Sequence, residues 1–125
     1  MPTTLKDMMA EASAAAPRLS PDQVAERLRE GAVLLDVRDP NEVAASGRIA
    51  GAVCISRGML EFRADPGSPM HHTALQRATP VLVYCASGGR SALAARTLRE
   101  LGYAHVFNAG GFKELADSGL PIERD

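Results

Sequence analysis

Cys85 closes an apolar run, Pro80-Val81-Leu82-Val83-Tyr84, and is followed at once by Ala86-Ser87-Gly88-Gly89-Arg90-Ser91 and an Ala/Leu-rich stretch of helical periodicity. This order predicts a thiol at a strand-to-helix turn. There the backbone N–H groups of the turn and the positive end of the following helix point toward whatever the sulfur carries. Such a field favours the thiolate, which is the nucleophile, and can lower a cysteine pKa to about 3.5–7.5. The plain structural alternative is a small apolar residue ending a core strand. The pair Gly88-Gly89 weighs against it, because adjacent glycines permit positive φ and close backbone approach to an anion.

The elements that must hold this thiol can be read from periodicity and turn residues. Residues 4–16, with Leu5, Met8, Met9 and Ala12, predict an amphipathic helix whose apolar stripe faces a core or an interface. Ser20-Pro21-Asp22 is an N-cap and first turn for a helix to about Arg29, stopped by Gly31. Val33–Val37 is an apolar strand, Pro40 opens a helix to about Ser46, and Val53-Cys54-Ile55 is a second strand. Gly58, Pro66, Gly67 and Pro69 break residues 58–79 into helical turns and a long loop. Pro80–Cys85 is the third strand, Ser91–Leu101 a helix, and His105–Asn108 a further strand. Gly110-Gly111 leads into a last helix to about Asp117. This alternation predicts an α/β domain, a mostly parallel central sheet flanked by helices on both faces. In such sheets ligands bind beyond the carboxyl ends of the strands, which is where Cys85 falls.

The chain has 125 residues, enough for one core, and a net charge of -1, which removes the general phosphate attraction of a nucleic-acid binder. Lysine occurs only at Lys6 and Lys113, so basic charge is mainly arginine, suited to planar anion contacts. No stretch is long and apolar enough to span a bilayer, and the N-terminus lacks a basic-then-apolar signal pattern. A cytoplasmic protein with no membrane partner is expected. Neither Cys54 nor Cys85 belongs to a C-x-x-C pair or a cluster with metal-ligand spacing. Cys54, inside Ala52-Val53-Cys54-Ile55, is expected to pack in a buried strand, with a resolving-cysteine role left open. His71-His72 fall in a loop and His105 precedes a strand, and none forms a ligand set by itself.

Cys85-Ala86-Ser87-Gly88-Gly89-Arg90-Ser91 resembles the active-site loop of single-domain rhodaneses, the thiosulfate sulfurtransferase family. Three further segments agree in order and spacing: Leu35-Asp36-Val37-Arg38-Asp39-Pro40-Asn41-Glu42, Gly47-Arg48-Ile49-Ala50-Gly51-Ala52, and Asn108-Ala109-Gly110-Gly111-Phe112. The resemblance implies a rhodanese-like three-layer fold over residues 18–125, with residues 1–17 as an N-terminal helical extension. It implies a Cys85 that cycles through a persulfide, taking sulfane sulfur from a small anionic donor such as thiosulfate. Cyanide, a thiol or a protein would then accept the sulfur, with no metal, nucleotide or organic cofactor.

The loop amides of residues 86 to 91 would cradle the terminal sulfur anion. Arg90 either sets the field for anions or folds back to fix the loop, and Ser87 either donates its hydroxyl or merely fits the turn. Asp36 is read as an acceptor for the loop or for Arg90, and Arg38 and Glu42 have the spacing of a local salt bridge. Arg57, Glu61, Phe62 and Arg63 follow the strand Val53-Cys54-Ile55, in a segment that in this family borders the mouth of the site. The chain departs from the family pattern at Arg48, where histidine is frequent, at Ser56, where proline is common, and at Leu115, often tryptophan. A noncatalytic rhodanese-like binding module commonly lacks the cysteine that is present here. Two alternative functions are weighed: a partner-dependent persulfide carrier, and a cysteine phosphatase or arsenate reductase of related fold. The latter use a Cys-x5-Arg loop, whereas here Arg90 comes one residue earlier.

Overall fold

Helix ends in this chain are set by local capping chemistry, and the structure, a computed structural model describing residues 1–124, makes those caps explicit. Helix α1 (Leu5–Ala15) starts at Thr4, whose side chain accepts from the Asp7 amide at 3.1 Å while the Asp7 carboxylate accepts from the Thr4 amide at 3.0 Å. Helix α2 (Pro21–Arg29) repeats the device with Ser20 and Gln23 and places Pro21 in its first turn. The remaining helices are α3 (Pro40–Ser46), α4 (Leu60–Ala64), α5 (Gly89–Glu100) and α6 (Phe112–Asp117), with a 3-10 turn at Arg57–Met59. Among the described residues no helix is long and apolar enough to cross a membrane.

Strands β1 (Val33–Asp36), β3 (Val53–Cys54), β4 (Val81–Cys85) and β5 (Val106–Gly111) form a parallel sheet in the order β3-β1-β4-β5. Two-residue periodicity splits the side chains of β4 between two cores. Val81, Val83 and Cys85 join Ala94, Ala95 and Leu98 of α5 on one face. Leu82 and Tyr84 join Val24 of α2 and Leu115 of α6 on the other. The result is the expected three-layer α/β arrangement. Helix α1 lies along α5, with Ala12 fully buried and Glu11 in an ion pair with Arg96 at 2.6 Å. Beyond it the chain runs along β5, where Asn108 donates its amide to Pro17 O and accepts from the Leu19 amide.

Three features differ from the sequence reading. Strands β2 (Arg48–Ile49) and β6 (Ile122–Glu123) pair antiparallel outside the main sheet; two residues each carry no periodicity to read. Strand β5 continues past Asn108 to Gly111, with an irregularity where Val83 pairs with Asn108 and Tyr84 with Gly110. Cys54 is exposed instead of buried, because β3 is a two-residue edge strand and Cys54 is its last residue. Strands β3 and β4 lie on opposite sides of β1, which separates Cys54 and Cys85 by about 10 Å at strand spacing. That exceeds the reach of a disulfide, about 7 Å between Cα atoms, without backbone movement.

Candidate active site

Cys85 ends β4 at the carboxyl edge of the sheet, and only three residues, Ala86 to Gly88, separate it from the start of α5 at Gly89. The connection is this short because Gly88 adopts φ 102°, a left-handed conformation that turns the chain into the helix. Its amide then donates to Cys85 Sγ at 3.1 Å, and the Ser91 amide, at the start of α5, donates at 3.4 Å. Ser91 Oγ lies 3.4 Å from the same sulfur. Burial pushes the Cys85 thiol up, but the Ser91 hydroxyl and the amides of Ser91, Ser87 and Gly88 outweigh it and hold the thiol below its ordinary value. The sulfur is therefore biased toward thiolate by hydrogen bonds, with Cys85 only 1 % exposed.

The two glycines expected to act together have different roles. Gly88 has the positive φ, and a Cβ there would fall 2.8 Å from Arg18 Nη1; Gly89 opens α5 and has open space around it. Gly88→Ala is therefore expected to cost about 1–2 kcal/mol in stability and at least about tenfold in sulfur loading, read by urea unfolding and mass spectrometry. Gly89→Ala should leave loading within about twofold and stability within about 0.5 kcal/mol. Equal losses would reject this division.

Arg90 folds back to a carboxylate: its Nη1 and Nη2 donate to Glu42 Oε1 and Oε2 at 2.6 and 2.9 Å, tying α5 to α3. Glu42 thus serves Arg90 and not Arg38, correcting the expected local pair. Arg38 is instead drawn inward to Asp36, donating from Nε to both carboxylate oxygens at 3.1 Å and from Nη2 to Oδ2 at 2.8 Å. It also donates to Ser46 Oγ and Gly47 O and lies 4.3 Å from the Phe112 ring centroid. Asp36 is committed to Arg38 in the core, so it accepts neither Arg90 nor the loop. Of the expected mouth residues, Arg57 bonds Glu61 and reaches Thr97 on α5, while Phe62 is exposed. Arg63 lines a separate cavity of roughly 230 Å³ with Pro40, Cys54, Ser56 and Met59. A second cavity, roughly 380 Å³, lies between Met9 and Ser13 of α1 and Ser87, Gly88 and Gly89 of the loop, with Arg18 and Asn108 at its border.

The Arg90 hydrogen bonds lower the Glu42 pKa from 4.5 to about 2. A depressed carboxylate contributes stability that is fully present above its unfolded pKa and lost as pH falls through the folded one. Wild type should lose about 1 kcal/mol more than Glu42→Gln between pH 6 and about pH 2 in urea unfolding, a value reduced for the partly exposed pair. Equal acid sensitivity would show that the pair contributes nothing.

Two features escaped sequence reading. Glu42 pairs with Arg90, 48 positions away in sequence but adjacent in space, and the four-residue spacing to Arg38 gives no sign of it. Asn108, 6 % exposed, sits behind the loop and bonds Ser91, Gly88 and Gly110. The available signal was parity: Asn108 follows Val106 by two in an apolar strand, which places a polar group on a core face. Among the described residues no group of three His, Cys, Asp or Glu side chains could hold a metal ion.

The parallel α/β sheet ends in a buried thiol that accepts from the amides of a strand-to-helix loop, an arrangement suited to negative charge on sulfur. Residues 20–118 match the model of the rhodanese-like domain, and the chain belongs to that sulfurtransferase family. It is 35% identical over 107 residues to thiosulfate sulfurtransferase GlpE of Pseudomonas entomophila, covering 85% of this chain and 89% of the relative. Among solved structures it is similar to a protein of Rhodopseudomonas palustris described as of unknown function and a possible tyrosine phosphatase. That match has TM-score 0.86 and 38% identity over 98% of this chain and 99% of the other. It is also similar to the polysulfide-sulfur transferase homodimer of Wolinella succinogenes, with TM-score 0.73, 34% identity, and coverage of 96% and 87%.

Proposed function

We propose that the protein transfers sulfane sulfur from a small anionic donor such as thiosulfate to cyanide or a thiol acceptor through a persulfide on Cys85. The observation that carries this reading is the convergence of the Gly88 amide, the Ser91 amide and the Ser91 hydroxyl on Cys85 Sγ. Cys85 thiolate attacks the outer sulfur of thiosulfate; a new S–S bond forms, the donor S–S bond breaks, and sulfite leaves with the electron pair. The product is Cys85–S–S⁻. The amides at the start of α5 have no intrahelical acceptors, so they are suited to the terminal sulfur anion, as a preorganised oxyanion-type cup is to charge. Attack by cyanide on the outer sulfur forms thiocyanate and returns Cys85 thiolate; a thiolate acceptor becomes a persulfide in the same way. The cycle needs no metal or cofactor.

Residues 18–125 are proposed as the sulfur-transfer domain and residues 1–17 as its helical extension. The cytoplasm is the proposed setting, since it keeps the thiol reduced. The named relatives support the sulfur chemistry, GlpE by activity and the Wolinella protein by substrate class. The description of the Rhodopseudomonas neighbour raises phosphatase chemistry, which needs an arginine on the phosphoryl oxygens. Arg90 is bidentate on Glu42, which disfavours that reading. A partner-dependent carrier is the second reading: a Cys85 that is 1 % exposed favours an acceptor shaped to reach it.

The test is the intact mass after incubation with thiosulfate. A gain of one sulfur atom, removed by cyanide or thiol, supports the cycle; removal by a protein thiol but not cyanide selects the carrier. Phosphate-ester turnover without any sulfur gain would overturn both.

A further inference from the structure

The Ser91 hydroxyl faces two partners with one proton. Its Oγ lies 2.8 Å from Asn108 Oδ1 and 3.4 Å from Cys85 Sγ. The orientation of the Asn108 amide follows from its surroundings: Nδ2 donates to Gly88 O at 3.1 Å, and Oδ1 accepts from the Gly110 amide at 3.0 Å. Oδ1 can only accept, so the short Ser91 contact is an O–H donated to Asn108. Ser91 then offers the sulfur a lone pair, which suits a thiol S–H and opposes a thiolate. When the thiol proton leaves to solvent, rotation about the Cβ–Oγ bond turns the same hydroxyl toward sulfur, and Oδ1 keeps the Gly110 amide. No bond to hydrogen in Ser91 is broken.

We propose that Asn108 is a positioning residue that acts through Ser91, holding the hydroxyl proton while the sulfur is neutral and yielding it when the sulfur is anionic. This rests on the sulfur-transfer reading, in which Cys85 alternates between thiol, thiolate and persulfide anion. The backbone supports the role, because the Asn108 amide and carbonyl are pinned to Pro17 and Leu19 and the side chain is held at three further points. The charged groups around the cup are already engaged: Arg90 on α5 with Glu42 on α3, Arg18 with Glu114, and Asp36 on β1 with Arg38. Tyr84 on β4 is held neutral by burial. The Arg90 charge still acts on Cys85 through space, but the largest influences favouring the thiolate are neutral hydrogen bonds, of which the Ser91 hydroxyl is the one able to reverse.

The test is the pH profile of Cys85 alkylation by iodoacetamide, followed by intact mass, in the full chain carrying Cys54→Ala. Asn108→Ala should lower the midpoint by about half a pH unit, the size of one neutral hydrogen bond. In a Ser91→Ala background the same change should leave the midpoint unmoved. A rise, or an equal shift in both backgrounds, would mean that Asn108 only supports the loop, and would overturn the proposal. Asn108→Asp fills the same volume and guards against collapse of the alanine variant. Its charge should raise the midpoint in both backgrounds, and more where Ser91 is present; an equal rise overturns the coupling. Alkylation reads the thiol with no sulfur donor present. Coupling without thiosulfate loading would therefore reject the sulfur-transfer reading alone, and loading without coupling would reject this proposal alone.

Discussion

Cys85→Ser is expected to stop sulfur loading from thiosulfate, lowering the rate by at least about a thousandfold, the scale of losing a nucleophile. The serine fits the volume, and its oxygen can accept from the Gly88 and Ser91 amides that now meet Sγ. Fold stability should therefore change by no more than about 1 kcal/mol. What disappears is acidity and reach. The cup lowers a thiol that is already close to ionising, and the same hydrogen bonds cannot bring an alcohol into that range. An oxygen also forms no persulfide. Mass spectrometry after thiosulfate treatment, alongside urea unfolding, reads both quantities. A serine variant that still gains sulfur would move the nucleophile elsewhere, with the exposed Cys54 the first residue to replace.

Gly111→Ala is expected to be the most damaging change outside the loop itself. Gly111 has φ -110°, which any residue adopts, so the constraint is space. A Cβ there would lie 2.5 Å from Ala86 O and 3.2 Å from Ser87 Cα, both main-chain atoms that no side-chain rotation can move aside. Strand β5 therefore presses its bare backbone against the loop, and one methyl group must displace either the strand or the cup. The expected cost is about 2–3 kcal/mol in urea unfolding, as for overpacking. Sulfur loading should fall at least about a hundredfold even at temperatures where the variant is fully folded. Full loading by a folded Gly111→Ala protein would show that the loop tolerates displacement.

The parts of this protein legible in the sequence are those with local causes. Ser20 and Pro21 announce α2, the apolar run Val81–Tyr84 announces β4, and Gly88-Gly89 after Cys85 marks the turn. The resemblance of four segments to one family located the thiol and its loop. What was not legible depends on distance in space. Glu42 is four residues from Arg38 but bonds Arg90, and Cys54 belongs to a strand by composition yet lies at a sheet edge. Arg57 joins α5 through Thr97, a contact no spacing announces. Asn108 was visible as part of a matching segment, but its contacts with Ser91, Gly88 and Gly110 arise only when β5 and α5 meet.

The passage of Pro17–Leu19 beside β5 has a further consequence, for the way copies of this protein meet one another. In the order β3-β1-β4-β5, β5 is an outer strand, and an outer strand offers unpaired main-chain groups as a template for another chain. Here the Asn108 amide and carbonyl are already occupied by Pro17 O and the Leu19 amide. Pro17 has no N–H of its own to extend a ladder outward. The segment thus covers the outer edge of the sheet at Asn108, the residue whose side chain reaches inward to Ser91 behind the Cys85 loop, so one strand position closes the edge on one side and braces the loop on the other.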